Sequence, residues 1–322
     1  MRAERKALWA ALGAGACWGG SFLAPRALPG TSPTTIALFR FLFFGLFSVG
    51  TLLFRRDRRP RLDRRTVSLA FIYASAGYSL YYSLLALGIQ GIGVPFATAI
   101  IALLPLTILL ASTPLRDWSQ LRAPIVLILI GGVVVPLELF GESYSALVAR
   151  PFLSKVVGLF GALAALGLWT WFAVRNARFM KRHPQWPPLQ WAAVLGVAAA
   201  MSALLFFFLI ERENSVSVLL VSFGNPSLLL WTGFMGIAGS WIASALWNYA
   251  SRVLPGGALG MLLVFEAVFG LAFGFLYERR GPTISETVAI FGLVGGALLG
   301  IHRLSEIKRN GRSNSASNVS VE

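Results

Sequence analysis

Residues 256–277 read Gly256-Gly-Ala-Leu-Gly260-Met-Leu-Leu-Val-Phe-Glu266-Ala-Val-Phe-Gly270-Leu-Ala-Phe-Gly274-Phe-Leu-Tyr277, an apolar run with one charged side chain near its centre. A bilayer core is ~30 Å thick, so a helix needs ~20 mostly apolar residues to cross it, and this run is long enough. Nine further runs of the same kind are bounded by charges or by Pro and Gly, near 7–24, 34–54, 66–88, 92–112, 121–140, 156–174, 189–210, 228–250 and 283–302. Together they predict an all-α integral membrane protein with ten transmembrane helices.

Composition agrees. Of the 322 residues 56% are hydrophobic and 13% charged, where soluble domains carry about 25% charge. A single cysteine, Cys17, and two histidines, His183 and His302, leave no disulfide framework and no Cys/His metal site, so neither a metal nor a cofactor is expected. The net charge of +15 would point to nucleic acid in a soluble protein. Spread over the links between apolar runs it reads as topology, and no nucleic-acid partner is expected. The first run, preceded by Arg2, Arg5 and Lys6, is read as a retained anchor rather than a cleaved leader, because everything downstream also needs a bilayer.

Lys and Arg concentrate on the cytoplasmic side of correctly assigned spans. With the N-terminus inside, 21 of the 28 fall there, including Arg55, Arg56, Arg58, Arg59, Arg61, Arg64 and Arg65 after the second run and Arg175, Arg178, Lys181 and Arg182 after the sixth. Both termini are therefore expected in the cytoplasm. The discordant pair is Arg279 and Arg280, placed outside with only Glu278 as partial offset.

The basic link follows the second run in the first five and the first run in the last five, so the halves read as inverted copies, an arrangement many secondary transporters use. The predicted organisation is a five-helix repeat over 1–140, an outer connecting loop over 141–155, a second five-helix repeat over 156–302 and a polar, disordered cytoplasmic tail over 303–322. Trp18 and Trp169 sit at similar points of the two copies, and Leu104-Pro105 aligns with Glu266-Ala267.

Glu266 lies about 15 Å from the end of its run at 1.5 Å per residue, where an ionisable side chain faces a cavity or a partner. It is a candidate for proton or substrate coupling; a packing role is the alternative. Arg40, within Ala37-Leu-Phe-Arg40-Phe-Leu-Phe, stays charged and either anchors an anionic group or reaches to the interface. Tyr78, Tyr81 and Tyr82 share one helix face, and Gly236, Ser240, Ser244 and Asn248 form a stripe that the same register sets against it. These residues predict a cavity for a small amphipathic solute lined by the first, third, sixth and eighth helices, or helix packing through hydroxyl and small side chains. Gly15/Gly19, Gly256/Gly260, Gly270/Gly274 and Gly292/Gly296/Gly300 mark close helix seams, within one chain or between two, so the oligomeric state stays open. Pro105 and Pro136 predict kinks. There is no paired intramembrane carboxylate, no Gly-x-Ser-x-Gly turn and no phosphate-binding loop, so an enzyme is not expected.

Ala16-Cys-Trp-Gly-Gly-Ser-Phe22, Leu38-Phe-Arg40-Phe, Leu168-Trp169, Leu263-Val-Phe-Glu266-Ala-Val-Phe and Tyr277-Glu278-Arg279 resemble, in order and spacing, the drug/metabolite transporter superfamily, EamA type. The resemblance runs over roughly 7–302. It implies a ten-helix fold of two inverted five-helix repeats and a bacterial inner-membrane exporter of amino acids or related metabolites, driven by an ion gradient such as protons. It places Trp18, Ser21, Arg40 and Glu266 near the core. One departure is Ala267, where the family commonly has proline. The expected substrate-binding set is thus Trp18, Ser21, Arg40, Tyr78, Tyr82, Trp169, Ser240, Ser244 and Asn248, with Glu266 as the coupling residue. The competing expectation is a non-transporting receptor, scaffold or assembly protein on the same fold.

Overall fold

The computed structural model describes residues 2–28, 30–54, 60, 62–138, 147–212 and 215–319, and these form helices and links with no strand among them. Ten helical stretches follow in order. They are α1 (Arg2–Gly20), α2 (Pro33–Phe54), α3 (Arg64–Ile92), α4 (Val94–Ile101 and Leu104–Ser112), α5 (Arg122–Glu138), α6 (Phe152–Arg182), α7 (Pro188–Glu211), α8 (Pro226–Val253), α9 (Gly256–Glu278) and α10 (Ile284–Val319). Short helices at Leu115–Leu121 and Ser215–Phe223 connect α4 to α5 and α7 to α8.

Seven of the ten, α2, α3 and α6 to α10, are long and apolar enough to cross a membrane. The others fall short for visible reasons. α1 begins with Arg2, Glu4, Arg5 and Lys6. α5 has 17 residues, about 26 Å at the helical rise. α4 is interrupted at Ala102 and Leu103, immediately before Pro105 at the start of its second half, because a proline ring displaces the carbonyl four residues back. The other expected kink is not a break: α5 continues through Pro136 to Glu138, where only the last turn loses a bond.

Helix starts follow local chemistry. Asp63 caps α3 by accepting from the Thr66 amide at 2.8 Å, and Asn225 caps α8 by accepting from Leu228 at 3.1 Å. Gly93, at φ 86°, makes the reversal between α3 and α4. After α9 the chain turns through Arg279 at φ 52°, and Arg280 then bonds Glu278 at 2.6 Å and both Glu286 carboxylate oxygens at 2.6 and 2.7 Å. This fork lifts the Arg280 pKa above its ordinary value and neutralises much of the discordant charge beside α9. Of the other loop charges, Arg55, Arg56, Arg58, Arg59 and Arg61 lie outside the described residues, as do 139–140 and residues 141–146 of the connecting loop. α6 starts at Phe152, inside the segment expected to be loop.

Glycines mark close helix crossings within this chain. A methyl group on Gly19 of α1 would stand 2.7 Å from the Gly270 amide of α9, and one on Gly260 of α9 would stand 2.8 Å from the Pro105 carbonyl of α4. Gly292 and Gly296 of α10 meet Leu127, Gly131 and Ile128 of α5, and Gly91 of α3 meets Gly158 of α6. The main pairings are α5 with α10, α2 with α7, α3 with α6, α4 with α9, and α1 with both α8 and α9. Two helices contain a π turn, α3 at Ser75–Ser79 and α8 at Ile237–Ile242.

The polar tail departs from its expected disorder. Its backbone prolongs α10 to Val319, supported at its root by Glu306, which lies 3.3 Å from His302 and 3.0 Å from Arg303. Pairs three and four residues apart extend a helix that the apolar part has already nucleated.

Candidate functional site

Arg40 projects from α2 toward α8, and the approach is permitted by Gly236, where a methyl group would stand 2.6 Å from the Arg40 carbonyl. One turn further along α8 the guanidinium donates from Nε to Ser240 Oγ at 2.9 Å and from Nη2 to the Gly239 carbonyl at 3.0 Å. Both acceptors lie in the π turn of α8. Such turns change the normal backbone ladder and recur at functional sites. Arg40 also stands 5.5 Å from the Phe41 ring centroid. It does not reach out to the interface: it is tied across to a buried serine.

The tyrosine face of α3 completes this side. Tyr78 Oη and Ser244 Oγ share a 2.8 Å hydrogen bond, one turn of α8 beyond Ser240, the residue the repeat register pairs with Tyr78. The Tyr78 ring packs at 5.9 Å from Phe41, 5.6 Å from Phe44 and 5.4 Å from Phe172, and Tyr82 lies 6.5 Å from Phe41. Gly77 and Ser79 face away, against Phe172 and toward Ser202 of α7 at 2.7 Å.

Glu266 is half-buried where α1 crosses α9; a methyl group on Gly15 would stand 3.3 Å from its amide. Among the described residues its carboxylate forms no hydrogen bond or ion pair, yet it lies within electrostatic range of Arg40 and Tyr81. Arg40 and Glu266 thus lie within electrostatic range without forming an ion pair with each other. On the same α1, Trp18 meets Trp247 at 5.3 Å and Trp169 at 6.1 Å, and Trp169 and Trp247 are 6.3 Å apart. Three indoles from α1, α6 and α8 thus form one aromatic layer.

Two expected site residues are placed otherwise. Asn248, 1% exposed, accepts from Asn176 at 2.8 Å and donates to the Pro188 carbonyl at 3.3 Å, while Asn176 accepts from Trp191 at 2.8 Å. Its amide is spent holding α6, α7 and α8 together. Ser21 is buried and donates to its own helix at the Cys17 carbonyl, 3.3 Å away. Sequence reasoning in turn left out Trp247 and Asn176, which nothing but tertiary contact singles out, and it did not carry Tyr81 into the site although its place beside Tyr78 and Tyr82 was visible.

The larger cavity, about 190 Å³, is lined not by the first, third, sixth and eighth helices but by α4, α6, α8 and α9. It lies at the end of the bundle where Arg178 and Lys181 close α6, separated from Arg40 by the indole layer to which Trp247 belongs. A second cavity of about 10 Å³ lies among α2, α3 and α7.

With this geometry in view, comparison with known proteins is informative. Residues 5–137 match the EamA-like transporter family. That stretch, which takes in α1 to α5, is similar to an EamA-like transporter domain. The chain is also homologous to inner membrane protein YtfF of Escherichia coli (strain K12), 29% identical over 307 residues that cover 92% of this chain and 95% of the relative. A crystal structure of a protein with 20% sequence identity shares the fold, with a TM-score of 0.69 over 91% of this chain and 95% of the other. The matching stretch carries Trp18, Arg40 and the tyrosine face, and seven helices of the described residues are long and apolar enough to cross a membrane.

Proposed function

We propose that the protein is a secondary transporter of the inner membrane that exports amino acids or related small metabolites by alternating access, without catalysing a reaction. The observation that carries this reading is the disposition of Arg40 and Glu266. A fixed positive charge about a third of the way along α2 and a carboxyl without an ion pair among the described residues at the middle of α9 lie within electrostatic range of each other, and charge so placed is costly unless it serves a solute or ion pathway. The aromatic and hydroxyl groups around them, Trp18, Tyr78, Tyr81, Tyr82, Ser240 and Ser244, suit a small solute with an apolar body and polar ends. Asn248 and Ser21 serve as supports for that site.

The mechanism rests on ten crossings arranged as two inverted five-helix repeats with both termini in the cytoplasm. Several observations support it. The family match ends at 137, with α5. Exchanging each helix with the one five places on leaves the pairings of α2 with α7, α4 with α9 and α5 with α10 unchanged, and turns α3 with α6 into α8 with α1. The register that aligns Tyr78 with Ser240 also superposes the two π turns. In this reading the two repeats rock about the central site, Arg40 holds the anionic end of the solute, and Glu266 exchanges a proton as access alternates.

The test is uptake and efflux of a labelled amino-acid and metabolite panel in proteoliposomes, with and without an imposed pH gradient. Wild type is expected to move a solute with the gradient and Glu266→Gln to lose that response while keeping its fold. Gradient-independent movement that survives Glu266→Gln would remove the coupling role. A panel with no movement at all would overturn export of this solute class.

A further inference from the structure

The vestibule beneath the indole layer has a chemistry of its own. Arg178 and Lys181 stand one turn apart on α6 and both line it, and no acidic side chain does. Lys308 of α10 adds a further positive charge within range of Lys181. Trp247 lines the same space, is 3% exposed, and its indole Nε1 has no hydrogen-bond partner. A buried N–H donor left unsatisfied costs about 1–3 kcal/mol, so it marks a place where an acceptor belongs.

The first turn of α9 points the same way. Gly256 lines the vestibule, and the residue before it, Pro255, supplies no side-chain cap to a helix of 23 residues. The first amides of a helix have no acceptor within it, and the aligned peptide dipoles place partial positive charge there. Glycines at both leading positions keep side chains away from those amides, and a methyl group on Gly256 would strike Ser112 Oγ. Two cations, a hydroxyl and an uncapped helix start line one space, beside an indole whose N–H lacks an acceptor among the described residues, and every polar side chain that lines it can donate.

We propose that this vestibule is a second binding site, for an anionic group, either the carboxylate or phosphate of a small solute or the phosphate of a lipid headgroup. Arg178 and Lys181 attract and pair with the anion, and Trp247 Nε1 and the α9 amides receive its oxygens. The apolar part of the wall, including Ile108, Val174 and Leu259, takes the body of the molecule. A volume near 190 Å³ limits that body to about the size of one ring or one amino acid. On the transport reading above, on which this role rests, the vestibule gathers anions on the cytoplasmic side, one indole layer away from Arg40.

Binding can be read without any flux. Purified protein in phosphatidylcholine nanodiscs is titrated with para-fluorobenzoate and, separately, with the neutral para-fluorobenzamide, following the fluorine NMR linewidth. Wild type should broaden the benzoate and not the benzamide. Binding should weaken by about tenfold or more in Arg178→Gln/Lys181→Gln, since a charge-assisted hydrogen bond contributes that much, and by a smaller factor in Trp247→Phe, which keeps the ring and loses the donor. The double variant changes only exposed side chains, and its melting temperature checks that it folds. Repeating the titration in nanodiscs containing phosphatidylglycerol separates the sources: unchanged benzoate binding assigns the site to a free solute, and displacement assigns it to a headgroup. Equal broadening by benzamide, or benzoate binding that survives the double substitution, would overturn the proposal. Wild type that binds benzoate but moves no solute would overturn the transport reading and leave the anion site standing.

Discussion

α4 and α9 pack against each other and occupy matched places in the proposed repeats, yet they differ where it matters. α4 breaks at Ala102-Leu103 ahead of Leu104-Pro105, whereas α9 runs unbroken through Glu266-Ala267. One helix offers a joint with no charge and the other a charge with no joint. α3 and α8 show the converse, sharing a π turn at one register while one presents tyrosines and the other serines. On the proposed repeats, a common backbone plan carries unlike side chains in its two halves, with a fixed cation, Arg40, in one and a lone carboxyl, Glu266, in the other.

The strongest way to break that contrast is at Arg40, which joins the first half to the second. Arg40→Ala leaves Ser240 Oγ and the Gly239 carbonyl without their donor. It should lower stability by about 2 kcal/mol, measured as a fall in melting temperature in detergent, and abolish solute binding. A stability equal to wild type would show that the α2 to α8 bridge is dispensable. Next is Gly19→Ala, which forces a methyl group to 2.7 Å from the α9 backbone beside Glu266. Overpacking of this kind costs about 1–3 kcal/mol and should separate α1 from α9, again read by melting temperature. Pro105→Ala sharpens the comparison by making α4 resemble α9. The break should close and turnover in proteoliposomes should change several-fold with little change in melting temperature; identical turnover would mean that the joint plays no part in the transport cycle.

The smallest effect is expected at Asp63, outside the spans. The Thr66 amide and hydroxyl hold its carboxyl below its ordinary value of 3.8. A carboxylate with a depressed folded pKa stabilises above the unfolded value and loses that contribution as pH falls through the folded one. Asp63→Ala should therefore lower the melting temperature slightly near neutral pH, and the difference from wild type should shrink in acid; a difference independent of pH would assign the effect to something other than the cap charge.

Much of this was legible in the chain. Apolar length placed all ten helical stretches, and apart from the tail and the C-terminal end of α6, which runs on from 174 to Arg182, their limits moved by about five residues or fewer from those expected. Glu266 and Arg40 stood out because charge is rare in such runs, and helical periodicity showed the tyrosine face and the serine stripe but not that Tyr78 bonds Ser244 rather than Ser240. The Asn248 contacts were not legible, because a polar residue in a small-residue stripe looks the same whether it meets a solute or another asparagine. Trp247 gave no signal because an indole in an apolar run reads as packing until its N–H is found without an acceptor.

What the sequence determined by itself was the class of molecule and the depth of its charges, since burial of apolar length in a bilayer is a property of local composition. Only the tertiary structure decided which charge meets which partner. Arg40 is held by Ser240, two hundred positions along the chain; Glu266 is left without an ion pair; and the space at the basic end is walled by donors from four helices. Hydrogen bonds act over about 3 Å, so they depend on how helices cross, and that is fixed by glycine seams whose partners no single helix can name.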